Sequence, residues 1–259
     1  MSKTSALLLA AGLGTRLRPY TEHWPKCLMP IQGHPLLEYW LSALQKIKIN
    51  DVLVNTHYHA DIVLDFLQRE SFAGWVKSVY EKELLGTAGT LRATIDILQE
   101  NTVLYAHADN LCCCDFADFL DFHHNARPEG TVMTMMTFAT STPSTCGIVE
   151  TNDDGVVTHF YEKVQNPPGN LANAAVYLIE PELIQWVVQN PEISDFSTEV
   201  IPEFMGKIAT WKNDNVLVDI GTIDSLTNAQ KLNCTSPSWP QDDWQILFMK
   251  NPIHRHIHQ

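Results

Sequence analysis

Short apolar runs alternate with segments of helical periodicity through the first half of the chain. The apolar runs have the length of buried strands and lie at residues 5–10, 51–55, 75–80 and 102–108. The segments with apolar residues at helical spacing lie at residues 35–47, 60–68 and 87–98. Strands that alternate with helices are typical of an α/β fold whose mostly parallel sheet is covered by helices. The pattern therefore predicts that fold class.

After Thr131 the pattern changes toward β-structure, and two further helices are predicted at residues 181–189 and 223–232. No internal repeat and no long linker interrupts the chain, so one domain over residues 1–235 is favoured. Residues 236–259 form a C-terminal extension whose role the sequence does not reveal. The extension contains His254, His256 and His258, which alternate as metal ligands on a strand could, but a solvated chain end is the favoured interpretation.

The charge balance limits the partners of the protein. The 259 residues include 17 basic and 30 acidic side chains, which give a formal net charge of -13. Nucleic acids and anionic membranes both favour positive surfaces, so neither is an expected partner. No stretch has the apolar length of a membrane span, and the N-terminus lacks the features of a signal peptide. We therefore expect a cytoplasmic protein.

The six cysteines include the adjacent trio Cys112, Cys113 and Cys114. This spacing is unlike a disulfide framework and unlike the C-x-x-C pairs of zinc sites. We therefore expect reduced thiols, as in a reducing compartment.

The segment from Leu7 to Pro30 carries the strongest chemical signal. An apolar run ends in Ala10, Ala11 and Gly12, which are small enough for the backbone to approach a phosphate and point N–H groups at it. Arg16 then offers a planar guanidinium, and Lys26 offers a mobile point charge. The third glycine of the dinucleotide fingerprint and the G-K-[ST] of a P-loop are both missing. The segment therefore predicts a polyanion site of a different type.

At its full length, LLLAAGLGTRLRPYTEHWPKCLMP, the segment resembles the signature of the sugar-phosphate nucleotidylyltransferases, including mannose-1-phosphate guanylyltransferases. The resemblance extends over roughly residues 5–230 through several separated motifs. It implies a Rossmann-like three-layer sandwich with a mostly parallel, mixed sheet of the glycosyltransferase-A type. It also implies that the nucleotide is bound by the residues of this loop and its two cations, namely Ala10, Ala11, Gly12, Leu13, Gly14, Thr15, Arg16 and Lys26.

Two aspartates follow predicted strands and could share a metal ion. Asp109 comes after the run at 102–108, and Asp219 ends the strand-like NVLV. Taken singly, each is equally well explained as an Asx turn or a helix cap. The resemblance implies that Asp109 is catalytic and that both aspartates bind Mg²⁺. The family usually has glycine where this chain has Ala108.

The base of the nucleotide is expected at residues 81–90, EKELLGTAGT, with Glu81, Gly86 and Thr87 as contacts. A carboxylate at Glu81 can accept two adjacent N–H donors of guanine, whereas uracil or thymine presents only one. GTP is therefore favoured. The alternative is that Glu81 is merely solvated and that backbone groups near Leu85 read the base.

The remaining motifs concern the sugar 1-phosphate. The resemblance implies that Gly147 lets the backbone approach the sugar, that Glu162 accepts from sugar hydroxyls and that Lys163 contacts the phosphate. Asn173 resembles the family's N-A-G-x-Y element, in which Ala175 replaces glycine here, and Asn110 completes the expected set. Taken alone, the Glu–Lys pair is an ordinary exposed ion pair.

The implied reaction joins a nucleoside triphosphate to a sugar 1-phosphate, with mannose 1-phosphate favoured. A sugar phosphate oxygen attacks the α-phosphorus in line, and pyrophosphate leaves. No general base is needed, since a phosphate monoester is already largely dianionic near neutral pH. Arg16 stabilises the leaving pyrophosphate, and Lys26 bridges the reacting phosphates. A homodimer is the default assembly.

Three alternatives stay open. The chain could be a uridylyl- or thymidylyl-transferring member of the family. It could be a catalytically silent nucleotide-sugar sensor on the same fold. A cytidylyltransferase for a phosphocholine-like substrate would need an aromatic cage, for which the candidates are Trp24, Tyr161, Tyr177 and Trp211.

Overall fold

The structure is a computed structural model that describes residues 3–98 and 100–254. Its strands are β1 (Thr4–Leu9), β2 (Pro30–Ile31), β3 (His34–Pro35), β4 (Val52–Thr56), β5 (Val76–Tyr80), β6 (Thr102–His107), β7 (Asn110–Cys112), β8 (Met133–Ala139), β9 (Gly147–Thr151), β10 (Val157–Glu162), β11 (Leu171–Ile179), β12 (Ile208–Lys212) and β13 (Leu217–Asp219). Its α-helices are α1 (Leu36–Lys46), α2 (Ala60–Leu67), α3 (Thr87–Ala93), α4 (Ile95–Leu98), α5 (Phe116–Asp121), α6 (Pro181–Gln189), α7 (Ile223–Ala229) and α8 (Asp243–Lys250).

The predicted alternation of strands and helices is confirmed, with one helix divided. The segment at 87–98 forms α3 and α4, which are separated at Thr94. The Thr94 hydroxyl donates to the carbonyl oxygens of Thr90, at 2.9 Å, and Leu91, at 3.1 Å. A threonine that bonds back to the preceding turn tends to bend or interrupt a helix. The predicted segment is therefore helical on both sides of Thr94, where the side-chain hydrogen bonds of this residue accompany the break.

Two compact units make up the chain, and both are discontinuous in sequence. Of the described residues, unit 1 comprises 3–7, 85–98, 100–106 and 114–214, and unit 2 comprises 8–84, 107–113 and 215–254. The described part of the extension, residues 236–254, therefore belongs to unit 2. One catalytic domain over residues 1–235 stays a prediction.

Unit 1 is built around β11. This strand pairs antiparallel with β6, β8 and β9, while β10 pairs antiparallel with β9 and β12 pairs parallel with β8. Three aromatic rings, those of Tyr105, Tyr177 and Phe196, pack with centroids 5.0–6.0 Å apart. All three side chains are buried. The β-rich character predicted for the second half is confirmed here.

Unit 2 contains the parallel pair β4 and β5, together with the short antiparallel pairs β2–β3 and β7–β13. Helix α1 begins after Pro35, whose fixed φ suits a helix start. The helix buries Leu37, Trp40 and Leu44. The apolar residues whose spacing predicted this helix are thus the residues that the helix buries in the core. The predicted α/β class with a mixed sheet is confirmed.

The described part of the C-terminal extension packs against other residues of unit 2. Trp244 of α8 lies edge-on to Phe66 with ring centroids 4.9 Å apart, and Asp242 accepts a hydrogen bond from Arg69 Nε at 2.6 Å. The ring of His254 lies 4.7 Å from that of Phe248. His256 and His258, the other candidate ligands of the tail, lie outside the described residues.

The expectation that the cysteines are reduced is wrong for one pair. Cys113 is joined to Cys234 by a disulfide that spans 121 residues of sequence. Adjacent cysteines suggested no framework, because the partner comes from a distant segment that only tertiary packing brings close. Among the described residues, no helix is both long and apolar enough to cross a membrane.

Candidate active site

The loop after β1 takes its shape from Gly14. This residue has φ = 60°, in the left-handed region that favours glycine. A Cβ atom here would lie 2.8 Å from Thr21 Cγ2. The Thr21 hydroxyl donates to the Gly14 carbonyl oxygen at 2.9 Å. The chain then forms a short 3₁₀ turn, Thr15–Leu17, which presents Arg16. Gly14 is therefore required by both its backbone angle and its neighbours.

Four charged side chains of unit 2 converge beside this loop. The Lys26 ammonium donates to Asp109 Oδ2 at 2.7 Å and to Asp219 Oδ1 at 2.9 Å. Arg16 donates to the second oxygen of Asp219 at 3.0 Å. The Lys26 side chain is only 6% exposed, whereas that of Arg16 is 66% exposed. The structure thus brings together the two cations and two acids that the sequence singled out.

The β7–β13 pair sets the separation of the two aspartates. Asp219 ends β13 directly opposite Asn110, the residue after Asp109. The Asn110 carbonyl oxygen accepts from Trp40 Nε1 at 2.8 Å, which fixes β7 to α1. Gly221 follows, and a Cβ there would lie 2.6 Å from both Arg16 and Asp219. Two carboxylates from distant parts of the sequence are therefore placed by a rigid element of backbone.

The cations determine the charge state of this cluster. Burial alone would raise the pKa of the Asp219 carboxyl, but Lys26 and Arg16 outweigh burial and hold that pKa below its ordinary value. The neighbouring Cys27 is different: burial, with a smaller effect of Asp109, raises the pKa of its thiol to about 12. The carboxylate therefore stays ionised near neutral pH, and the Cys27 thiol is not a nucleophile.

A cavity of about 320 Å³ opens at this cluster. It is lined by Leu13, Gly14, Thr15, Arg16, Lys26, Asp109 and Gly221. Two carboxylates that converge on one positive charge, here the Lys26 ammonium, form a donor set of hard oxygens such as Mg²⁺ prefers. The residues present therefore fit a divalent cation.

Asn55 is a site residue that the sequence analysis missed. Its Oδ1 accepts the backbone N–H groups of Ala10, at 2.6 Å, and Ala11, at 3.2 Å. These two N–H groups were expected to point at a phosphate, and this is corrected: Asn55 already uses them inside unit 2. The sequence feature that could have indicated this residue is a single asparagine at the end of the apolar run VLVN.

Glu81 is buried, not solvated. It follows β5, is 4% exposed and accepts from Asn55 Nδ2 at 2.9 Å. In unit 1, Gly86 has φ = 76° and a Cβ there would overlap the Ser194 carbonyl oxygen. Thr87 Oγ1 accepts from Phe196 N–H at 2.6 Å. The loop predicted to contact the base is thus held by specific hydrogen bonds and close packing.

Three of the residues predicted for the sugar lie together in unit 1. Gly147 at the start of β9 pairs with Glu162 at the end of β10. A Cβ on Gly147 would lie 2.7 Å from Glu162 Oε2. Lys163, which has φ = 50°, places its ammonium 3.1 Å from Glu162 Oε1. Gly147 therefore leaves the space that the Glu162 carboxylate occupies.

Asn173 sits at an irregularity in β11. Its Nδ2 donates to the Tyr177 hydroxyl at 2.7 Å, and its Oδ1 accepts from Ala175 N–H at 2.9 Å. Ala175 has φ = 53°, although it carries a Cβ atom. The pairing with β8 shifts register between Asn173 and Tyr177. The left-handed conformation that glycine would supply is thus retained by alanine.

Comparison with known proteins gives a consistent result. A model of the family described as "Nucleotidyl transferase" matches residues 5–236. A mannose-1-phosphate guanylyltransferase of Mycobacterium tuberculosis is 30% identical over 225 residues, which are 85% of this chain and 62% of that protein. The catalytic subunit beta of mannose-1-phosphate guanylyltransferase from Drosophila pseudoobscura pseudoobscura is 32% identical over 77% of this chain and 53% of its own length. The chain therefore spans between about half and two thirds of the length of these relatives.

Solved structures share the fold. A candidate glucose-1-phosphate thymidylyltransferase from Bacillus anthracis superimposes with a TM-score of 0.80 at 19% identity, covering 94% of this chain and 99% of its own. HddC from Yersinia pseudotuberculosis gives 0.74 at 21% identity, covering 89% and 99%. At these identities the likeness shows the fold, which is the α/β class expected from the sequence.

Proposed function

The chain belongs to the nucleotidyl transferase family, and from that premise we propose that it is a sugar-1-phosphate nucleotidylyltransferase. It would transfer a nucleoside monophosphate from a nucleoside triphosphate to a sugar 1-phosphate and release pyrophosphate. The observation that carries this proposal is the cluster in which Lys26 lies between Asp109 and Asp219 beside the Gly14 turn. Transfer at phosphorus depends on positioning and charge neutralisation, and this cluster offers both.

Each charged group has a proposed role. Arg16, which is largely exposed on its turn, binds the pyrophosphate that leaves. Lys26 contacts the reacting phosphates and offsets the charge that develops in the transition state. The backbone from Gly12 to Thr15 lies against the phosphates, with Gly14 keeping the turn open. The sugar phosphate supplies its own nucleophilic oxygen, so no residue needs to act as a general base.

Nucleotidyl transferases of this kind generally use a divalent metal, and we propose Mg²⁺. Asp109 and Asp219 would hold it, because their carboxylate oxygens are hard ligands that already converge on a cation. The ion would supply neutralisation of the phosphate charge. The low pKa of Asp219 keeps this ligand ionised without the metal.

GTP and mannose 1-phosphate are the proposed substrates. Relatives at 30% identity or more are named mannose-1-phosphate guanylyltransferases. Glu81 would accept from the guanine edge, while Glu162, Lys163 and Asn173 of unit 1 would bind the sugar phosphate. We also propose a cytoplasmic location, where nucleoside triphosphates are abundant, and a homodimer.

The test is a pyrophosphate-release screen of GTP, ATP, CTP, UTP and TTP against a panel of sugar 1-phosphates with Mg²⁺. We expect release with GTP and mannose 1-phosphate. Release only with UTP or TTP would support the proposed reaction and show that the base is uracil or thymine instead of guanine. If no pair in the panel releases pyrophosphate while calorimetry still detects nucleotide-sugar binding, the proposed enzymatic activity is wrong. The protein would then be a nucleotide-sugar sensor.

A further inference from the structure

One buried amide in unit 2 joins the two ends of the nucleotide site. Asn55 accepts the N–H groups of Ala10 and Ala11 at the start of the phosphate loop. The same amide donates to the carboxylate of Glu81. Asn55 is 3% exposed and Glu81 is 4% exposed. Hydrogen bonds between such buried groups are costly to break, since each would leave a polar atom unpaired.

The chemistry of the three partners allows only one orientation of the amide. Both backbone groups are donors and require the Asn55 oxygen, whereas the carboxylate is an acceptor and requires the Asn55 nitrogen. The hydrogen-bond network therefore fixes the side chain without ambiguity. Asparagine satisfies both requirements at once. An aspartate at this position would set two carboxylates against each other, and an apolar residue would leave the loop donors unpaired.

The backbone around Glu81 is held in place as well. β4 and β5 are parallel, with Asn55 paired to Val79. The Glu81 N–H donates to the Thr56 carbonyl oxygen at 2.9 Å, and His57 Nδ1 lies 2.9 Å from the Glu81 carbonyl oxygen. A change in the position of the Glu81 carboxylate must therefore be taken up by its side chain, and Asn55 follows it.

We propose that Asn55 is a positioning residue that couples recognition of the base to placement of the phosphate loop. This rests on the proposed function only in that Glu81 is taken as the group that meets the base. A base that binds the Glu81 carboxylate holds the same group that accepts from Asn55. The position of Asn55, and through it that of the loop at Ala10 and Ala11, therefore depends on whether the base is bound. A bound base of the correct type thus strengthens the binding of the phosphates to the loop, in addition to the contacts that the base itself makes.

The test uses calorimetry with inorganic triphosphate as the probe, in the absence and presence of a saturating nucleoside. The nucleoside has the same base as the triphosphate that releases most pyrophosphate with the wild-type protein. If no triphosphate releases pyrophosphate, guanosine is used. We expect the nucleoside to tighten triphosphate binding by about 5- to 10-fold in the wild type, a coupling of ordinary size. In Asn55→Asp this enhancement falls to about one, and triphosphate binding weakens by at least about 10-fold.

A charge-matched double variant separates positioning from simple repulsion. Asn55→Asp combined with Glu81→Gln reverses donor and acceptor, because the glutamine amide donates to an aspartate that still accepts from the loop. It carries the same net charge as the wild type. We expect it to recover most of the triphosphate affinity. Asn50→Asp, at an exposed position before β4, is the control for the added charge. Thermal melts of all variants report folding.

Two results would overturn the proposal. One is a wild-type protein whose triphosphate affinity does not depend on the nucleoside. The other is a double variant that binds triphosphate no better than folded Asn55→Asp. Failure of the proposed function gives a different result, since pyrophosphate release would be missing while the coupling between nucleoside and triphosphate remained.

Discussion

At the scale of single residues, Lys26 is the side chain on which the proposed chemistry most depends. Its ammonium is almost fully buried, yet it contacts two carboxylates. Removing it deletes the only positive charge that both acids share among the described residues, and leaves the acids facing each other. The two carboxylates would then repel the phosphates of the nucleotide at the place where the Lys26 ammonium now attracts them.

We predict that Lys26→Ala lowers kcat for pyrophosphate release by about 10²- to 10³-fold, comparable to the loss of other transition-state donors. The matched control is Lys46→Ala, which removes an exposed lysine at the end of α1 and should leave kcat unchanged. Steady-state assays of both variants check this. Near-normal release by Lys26→Ala would remove this residue from the mechanism.

Gly147 gives a second prediction at this scale. An added methyl group would meet Glu162 Oε2 and the Phe160 ring at 2.7 Å. The carboxylate must then move, so we predict that Gly147→Ala raises KM for the sugar 1-phosphate about 10-fold or more while KM for the triphosphate changes little. Gly169→Ala, with nothing within 4 Å of the new Cβ, is the control. Equal effects of the two substitutions would contradict the prediction.

At the scale of elements, the junction of β11 and α6 is stabilised by a charged network. Glu180 accepts from Arg127 at 2.7 Å and lies 3.0 Å from His123 Nε2. His123, His124 and Glu180 could together face a metal ion, but the Arg127 guanidinium already contacts Glu180. Buried His123 also contacts Thr134 at 2.7 Å. The network is therefore an ion pair that joins secondary-structure elements of unit 1.

The pKa values of this network predict acid sensitivity. The hydrogen bond from His123, assisted by Arg127 and opposed by burial, lowers the pKa of Glu180 to about 2. Because the folded-state pKa lies below the unfolded value, the stabilisation is complete above about pH 4.5 and is lost as pH falls toward 2. We predict that Glu180→Gln reduces stability near neutral pH by roughly 1–2 kcal/mol, after allowance for partial exposure, and flattens the acid limb.

Denaturant unfolding between pH 2 and pH 7 measures this effect. Glu182→Gln, an exposed neighbour on α6 that pairs only loosely with Lys207 at 3.4 Å, is the control and should follow the wild-type curve. A Glu180→Gln protein with an unchanged acid limb would show that another group controls unfolding there.

At the scale of the whole molecule, the C-terminal extension contributes to the packing of unit 2. Trp244 contacts Phe66 and Phe248, with ring centroids 4.9 and 5.2 Å away, and Arg69 lies 5.3 Å over its ring. Arg69 in turn is bonded to the buried Glu38 and to Asp242. Apolar surface of α2 is thus covered by residues beyond the family match, which ends at residue 236.

We predict that Trp244→Ala destabilises the protein by about 2–4 kcal/mol, since a large ring is removed from a packed site. Leu247→Ala, on the same helix but 68% exposed, should change stability by less than about 0.5 kcal/mol. Urea unfolding of the two variants compares them directly. If both lose the same stability, α8 is only loosely attached.

The sequence by itself determined the local features of this protein. The spacing of apolar residues predicted β1, β4, β5, β6, α1 and α2, because this spacing depends only on residues that are close to one another in the sequence. The motif from Leu7 to Pro30 was enough to indicate the family, since its glycines, cations and prolines lie within one continuous segment of sequence.

Only the tertiary structure decided which distant groups meet. Lys26 and Asp219 are 193 residues apart, and their contact depends on the β7–β13 pairing. The disulfide of Cys113, the burial of Glu81 and the use of the loop N–H groups by Asn55 are likewise products of packing. A polar side chain can satisfy its hydrogen bonds in many ways within a sequence, and the fold selects one.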